Sequence, residues 1–537
     1  MYQVQLTESY FPAQTDDVVL ETTVGSVLRD QAALTPDAEA LVEAGIDGSI
    51  GRRWTYAELL SDAEKLATAL LSRFQPGERV CVWAPNIPEW VILEYGAAIA
   101  GLTLVTANPA YRPRELHYVL EQSRSVGLLY VQEYRGNPMG SIVAEIAPSL
   151  PNLRSIIDMD DHTAFFAGAN SETILPDVKP EDPVQIQYTS GTTGFPKGAV
   201  LSHLGITNNA RLGAARMHLG RGITILNFMP MFHTAGCGIA TLGAVQLGNR
   251  MILAKLFDPG KMLDLVETES VAFLFGVPTM LVALLEAQAA RPRNVSSITL
   301  AGSGGSMVSP ELVRRMKTVF GCDFETVYGQ TETSPLLTQA QIDDSLEDLC
   351  ETVGQPLPQT EVAIIDPRTN AVMPIGEVGE ICARGYCLMI GYNDNPEANA
   401  KTFDSQGWLH TGDLGTMDAR GYVKITGRVK EMIIRGGENL FPAEIENVLL
   451  EHDDVAEVAI VGAPDERWGE IVVCFLRLRA GANFDKQALV AHCRQNIAPQ
   501  KTPVHWIEIT DWPLTGSGKI QKFVLRDRFV AGEFTPH

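Results

Sequence analysis

Cysteine pairs at metal-ligand or redox spacing are missing from this chain. Its eight cysteines lie scattered at 81, 237, 322, 350, 382, 387, 474 and 493, with no C-x-x-C and no local Cys/His cluster. Neither a zinc site nor a disulfide framework is indicated by that spacing. Positive charge is also scarce: 42 Lys plus Arg face 65 Asp plus Glu, a formal net charge of −23. Such a surface repels nucleic-acid phosphate and anionic lipid, which argues against either as the main partner. Long apolar runs are lacking too. The longest, Trp90 to Thr106, is interrupted by Glu94, Gly96 and Gly101, too short and too broken to span a bilayer. The N-terminal stretch MYQVQLTESYFPAQTDD has neither the basic nor the apolar region of a secretory signal. The expectation is a reduced, soluble, cytoplasmic protein without integral membrane contact.

What is present is ordinary globular composition: 537 residues, 45% hydrophobic and 20% charged, with ample chain for a buried core. Strand-like and helix-like segments alternate over most of the length. RVCVWAP reads as a buried strand, IPEWVILEYGAAIAG as a helix and GLTLVTANP as a strand again. MILAKLF and VAFLFGVP are short apolar strands around a helical DPGKMLDLVETES. SPELVRRMKTVFG supplies Ser309 as N-cap, Pro310 at the first helical position and Gly321 as a stop. The fold class expected is α/β, a large multi-layered N-terminal body with mainly parallel sheets. From about Lys430 the texture changes. GRVKEMIIRGGENLFPAEIENVLLEH gives a strand, a glycine turn and a helix starting near Pro442. Two apolar strands follow, around a Gly-Pro-Asp turn in VGAPDERWG. The domain boundaries expected are 1–429 for the body and 430–537 for a small α+β domain.

The stretch YTSGTTGFPKG, Tyr188 to Gly198, has the inventory of a phosphate cradle. It is not a Walker loop. Pro196 stands where a backbone donor is needed, and Lys197 is followed by Gly198 instead of Ser or Thr. Its flanks, VQIQY and GAVLS, read as strands, so no helix N-terminus is at hand. Hydroxyls, glycine amides and one ammonium could close around a β,γ-diphosphate and release it after reaction. Read alone, the stretch is equally a polar surface turn.

Five stretches then occur in order: YTSGTTGFPKGA, VYGQTE, WLHTGD, GRVKEMI and PLTGSGKI. Together they resemble the adenylate-forming superfamily of acyl-CoA synthetases, peptide-synthetase adenylation domains and beetle luciferases, from about residue 20 to about residue 530. The resemblance implies that a carboxylic acid attacks Mg-ATP, releasing pyrophosphate and forming an acyl-adenylate. Such a reaction needs cations and donors aimed at the α-phosphate and a metal on the departing pyrophosphate. It implies phosphate contacts from Thr189, Ser190, Gly191, Thr192, Thr193 and Lys197. Thr331 becomes an α-phosphate hydroxyl and Glu332 the magnesium carboxylate. Tyr328 is implied to stack on adenine beside Gly305, Ser306 and Gly329, and Asp413 and Arg428 to hold the ribose. Lys519 is implied to bridge the acyl carboxylate and the α-phosphate as the catalytic lysine. Lys430 matches a hinge on which the small domain, here mobile, swings. Gly436 and Gly437 match the glycines lining the pantetheine channel of coenzyme A.

Within the superfamily, His233 stands where peptide-synthetase domains carry an aspartate for an amino-acid ammonium. Burying an unpaired ammonium is costly, so an amino-acid substrate is disfavoured. The resemblance instead places His233 in an acyl pocket with Phe275, Val277, Gly304, Gly329 and Leu336. These side chains are mainly apolar and suit a medium-length, branched or aromatic acid. The stretch IIRGGENLFPAEIE looks most like the medium-chain fatty acyl-CoA synthetase branch. The partners implied are a small carboxylic acid, ATP and coenzyme A, and a homodimer is compatible with them. Acceptors other than coenzyme A stay open: an amine, a carrier thiol or, as in luciferases, oxygen. A non-catalytic acyl or nucleotide sensor is the reading from another class, and Thr193, Lys197, Glu332, Asp413, Arg428 and Lys519 all being present speaks against it.

Overall fold

The protein is described by a computed structural model covering residues 2–189, 196–305, 308–436, 438–479, 481–514 and 520–537. It divides into two compact units. The first comprises residues 1–3, 11–362 and 383–409, the second 4–10, 363–382 and 410–537. The second unit therefore takes in more chain than the 430–537 expected from composition. The strands Leu409–Met417 and Val423–Arg428 pair antiparallel, and this sheet joins residues 410–429 to the second unit.

Two large sheets build the first unit. The nine-stranded sheet runs in the order Gln355–Pro356, Leu336–Gln339, Asp323–Gly329, Leu300–Ser303, Phe273–Gly276, Thr224–Asn227, Arg250–Ala254, Glu39–Ala44, Ile50–Thr55. Its centre is parallel from Asp323–Gly329 to Glu39–Ala44, and its outer strands are antiparallel. The seven-stranded sheet is ordered Gly391–Tyr392, Lys197–Ser202, Pro183–Thr189, Thr103–Ala107, Arg79–Trp83, Gly127–Tyr130, Ser155–Asp158. All its neighbours are parallel except the two pairs made by Lys197–Ser202. Parallel strands need covered faces, which explains the continuous apolar runs. Val80, Cys81, Val82 and Trp83 are all buried, and so is every residue of the helix Pro88–Ile99.

The local signals act as expected. Ser309 caps the helix Pro310–Phe320 by accepting the N–H of Leu312, and Gly321 ends it in the left-handed region at φ 67°. Asp258 caps Pro259–Glu269 in the same way. The stretch after Arg428 differs in two respects. The glycine turn at Gly436 leads into a second short strand, Glu438–Leu440, which pairs with Ile433–Arg435 before the helix Pro442–Leu450. The strand Val455–Asp465 runs through Pro464, and the turn lies at 466–468 instead of at the Gly-Pro-Asp cluster. Asp465 makes that turn, its Oδ1 accepting the N–H groups of Arg467 and Trp468. These strands, with His505–Glu508, form the last five-stranded sheet of the second unit.

Candidate active site

The phosphate-loop stretch joins two paired antiparallel strands. Thr189 is opposite Lys197 and Tyr188 opposite Gly198, so both flanks of the stretch are strands, as their composition predicts. Ser190, Gly191, Thr192 and Thr193 fall outside the described residues. Gly198 is required by packing, because a Cβ there would meet Ile186 Cγ2 at 2.8 Å. Lys197 projects over the ring of Tyr392, with Nζ 3.9 Å from the centroid. That cation–π contact holds the ammonium at the exit of the hairpin.

Tyr392 links this lysine to the carboxylate that the sequence marks. Its hydroxyl donates to Glu332 Oε1 at 2.6 Å. The strand Gly391–Tyr392 pairs with Lys197–Ser202, and the N–H of Met389 donates to the carbonyl of Glu332 at 2.9 Å. Burial, then the Glu332 charge and hydrogen bond, push the Tyr392 hydroxyl far above its ordinary pKa. It therefore stays a donor throughout the neutral range. Thr331 and Glu332 sit in a single tight turn, Thr331–Thr333, and Glu332 is only 7% exposed. A carboxylate this buried needs a fixed donor, and Tyr392 supplies one. Tyr392 escaped the sequence reading; the signal was GYNDNP, an aromatic followed by turn residues.

The remaining pocket residues converge from neighbouring parallel strands. The strands Asp323–Gly329, Leu300–Ser303, Phe273–Gly276 and Thr224–Asn227 are consecutive in the sheet. Tyr328 and Gly329 form the carboxyl end of the first, while Gly304 and Gly305, Val277, and the segment leading to His233 follow the carboxyl ends of the others. In open α/β sheets that edge is where ligands bind. Glycine is forced at two of these places. A Cβ on Gly329 would lie 1.9 Å from the carbonyl oxygen of Pro335, and one on Gly304 would lie 2.7 Å from that of Val327. Phe275 packs across Gly302 of the adjacent strand, whose Cβ would lie 2.9 Å from Cδ2 of the ring. Leu336 pairs with Gly329 and is clamped by Asn209, which accepts its N–H at 2.9 Å and donates to its carbonyl at 2.7 Å. His233 Nδ1 accepts the N–H of Ala235 at 3.2 Å, so a neutral ring carries its proton on Nε2. A π-helix, Ala235–Leu242, begins two residues later; such helices recur at functional sites. Ser306 lies outside the described residues.

In the second unit, Asp413 and Arg428 stand opposite one another on paired strands, with Asp413 Oδ1 3.0 Å from Arg428 Nε. The Asp413 side chain is 8% exposed and that of Arg428 51%, a buried acceptor beside an accessible guanidinium. A buttress that the sequence did not single out sets the strand residues just before Asp413. Glu380 Oε1 accepts the N–H of Gly412 at 2.9 Å, and Oε2 lies 2.8 Å from His410 Nδ1. Thr411 Oγ1 donates to the Ile381 carbonyl and accepts the Asp413 N–H. Lys430 lies exposed in the turn that follows Arg428. Gly436 is left-handed at φ 61°, and its N–H donates to the Trp468 carbonyl at 2.8 Å. Gly437 and Lys519 lie outside the described residues.

With this geometry in place, comparison with known proteins is decisive. Residues 28–393 match the model of the AMP-binding enzyme family, and 444–519 that of the AMP-binding enzyme C-terminal domain. The chain belongs to the AMP-binding enzyme family. One relative in this family is the human protein named medium-chain acyl-CoA ligase ACSF2, mitochondrial. It is 34% identical over 554 residues, covering 97% of this chain and 89% of the relative. Among solved structures, ATP-bound MatB from Rhodopseudomonas palustris superimposes with a TM-score of 0.84 at 28% identity, over 95% of this chain and 99% of that one. The o-succinylbenzoate CoA synthetase MenE from Bacillus subtilis, solved with its acyl-adenylate intermediate, gives a TM-score of 0.82 at 28% identity, again over 95% and 99%. The α/β fold with a large N-terminal body and a smaller C-terminal domain is thus that of the adenylate-forming enzymes, as the five motifs imply. Among the described residues no helix is long and apolar enough to cross a membrane.

Proposed function

We propose that this protein is an AMP-forming acyl-CoA synthetase. A carboxylic acid and ATP give acyl-AMP and pyrophosphate; the thiol of coenzyme A then attacks the acyl carbonyl and AMP leaves. The observation that carries the reading is the chain Lys197–Tyr392–Glu332, which ties the hairpin of the phosphate stretch to the carboxylate of YGQTE. In it a cation suited to a departing diphosphate and an oxygen donor suited to magnesium are fixed by one side chain. Magnesium enters as Mg-ATP, and hard cations of this kind take carboxylate and phosphate oxygens. Glu332 is the residue that would meet it. Lys197 and the hydroxyls of the loop hold the leaving pyrophosphate; Thr331 donates to the α-phosphate.

Asp413 and Arg428 take the ribose, where a buried carboxylate is a bidentate acceptor for two hydroxyls. Tyr328, Gly305 and Ser306 frame the adenine. Lys519 neutralises charge between the acyl carboxylate and the α-phosphate, a contribution of roughly 3–4 kcal/mol for comparable donors. The small domain swings at Lys430 between the two half-reactions, so that Gly436 and Gly437 line the thiol channel in the second. The substrate is a medium-chain, branched or aromatic acid. His233, Phe275, Val277, Gly304 and Leu336 support it, as do the names of ACSF2 and MenE. We place the protein in the cytoplasm, although ACSF2 is named mitochondrial; cell fractionation decides between the compartments.

A pyrophosphate-release screen over carboxylic acids, with and without coenzyme A, tests the proposal. Release with at least one acid of that class, and an acyl-CoA product only when coenzyme A is present, is expected. Amide products, or no release across the panel, would overturn it.

A further inference from the structure

Three chemically different ligand groups meet on one face of a sheet in the second unit. Glu380 and Cys382 are two apart on the strand Gly379–Gly385, so their side chains share a face. His410 comes from the neighbouring strand, Leu409–Met417. His410 Nδ1 lies 2.8 Å from Glu380 Oε2 and 3.4 Å from Cys382 Sγ. One ligand atom from each residue falls within 4.8 Å of the other two. A tetrahedral zinc ion with bonds of about 2.0–2.3 Å spaces its ligand atoms roughly 3.4–3.6 Å apart. The triad needs only side-chain adjustment to reach that spacing.

The surroundings suit an ion as well. Glu380 Oε1 is held by the Gly412 N–H, leaving Oε2 directed at the triad, and such outer hydrogen bonds orient metal-bound carboxylates. Cys382 is fully buried and Glu380 nearly so, while His410 is partly exposed and forms the entry side. We propose that Glu380, Cys382 and His410 form a binding site for a borderline-soft divalent ion of the zinc class, with water as the fourth ligand. A thiolate, an imidazole and a carboxylate together favour such ions over magnesium or calcium. On binding, the Cys382 thiol loses its proton to solvent and the imidazole proton passes from Nδ1 to Nε2. The ion then joins the two strands directly before Asp413. The sequence hides this site because His410 follows Cys382 by 28 residues, outside any local ligand spacing.

Cobalt(II), an optical probe for zinc sites, tests it on the full-length protein. Titration into chelator-treated enzyme is expected to give one bound cobalt per chain and a thiolate-to-cobalt charge-transfer band in the near ultraviolet. Cys382→Ser abolishes the band while pyrophosphate release stays within twofold of the wild type, which also shows that the variant folds. His410→Gln weakens cobalt binding at least tenfold. Cys350→Ser, which alters the one partly exposed cysteine among the eight, leaves the band intact. Zinc raises the melting temperature of the wild type and not that of Cys382→Ser. No band in the wild type, an equal band in Cys382→Ser, or its loss in Cys350→Ser would overturn the assignment.

Discussion

Tyr392→Phe separates two roles that one side chain combines. The phenylalanine ring still lies under Lys197, whose Nζ is 3.9 Å from the Tyr392 centroid, so the cation–π contact survives. The hydroxyl is lost, and with it the 2.6 Å bond to Glu332 Oε1. Glu332 is buried, and a hydrogen bond to a charged group contributes about 1.5–3 kcal/mol. If that bond fixes the carboxylate for the transition state, kcat/KM for pyrophosphate release falls about 10- to 150-fold, at about 1.4 kcal/mol per tenfold. Tyr392→Ala also removes the ring and should fall further. The assay is continuous pyrophosphate detection at saturating acid, with ATP varied, for wild type and both variants. Far-ultraviolet circular dichroism on the same samples guards against misfolding. A folded Tyr392→Phe within twofold of the wild type would refute the reasoning.

Glu380→Gln keeps the shape of the buttress but removes its charge and replaces one acceptor oxygen by a donor, so both contacts survive only when the amide faces His410 and Nδ1 turns from donor to acceptor. The KM for ATP is expected to rise about fivefold or more with kcat changing less, measured by the same assay. Gly329→Ala should destabilise the first unit, because its Cβ would lie 1.9 Å from a backbone oxygen; overpacking of this kind costs about 1–3 kcal/mol, read as a lowered midpoint in denaturant titration. Burial lowers the pKa of His203 to about 4 from 6.5, and its Nδ1 accepts the Val24 N–H. The unfolded chain binds this proton first, so the stability is full above pH 6.5 and is lost as pH falls toward 4. The loss is up to about 3 kcal/mol. His203→Gln should flatten the acid limb of the stability curve, and an unchanged limb would contradict the assignment.

Much of the fold and site was readable in the chain because its signals are local. The cap at Ser309, the stop at Gly321 and the apolar strand at Arg79 to Trp83 each follow from neighbouring residues. So did the two strands that flank the phosphate stretch, since both carry strand composition; that they pair came only from the structure. The residues missed act through partners distant in sequence. Tyr392 reaches Glu332 across 60 positions, Asn209 reaches Leu336 across 127, and Glu380 reaches Gly412 across 32. None of these pairings leaves a periodic or spaced trace in the chain. The strand Glu438–Leu440 was hidden for another reason: three residues are too few for a pattern of period two to show.

The central claim is that one site performs two half-reactions and that Lys519 serves the first. Lys519→Ala assayed in each half separately tests it most directly. Acyl-adenylate formation is followed by pyrophosphate release from acid and ATP, and thioesterification by acyl-CoA formation from supplied acyl-AMP and coenzyme A. Adenylation should fall by about 100-fold or more, the scale for losing a charge-stabilising donor, while thioesterification stays within a few fold of the wild type. Equal loss in both halves would contradict the account.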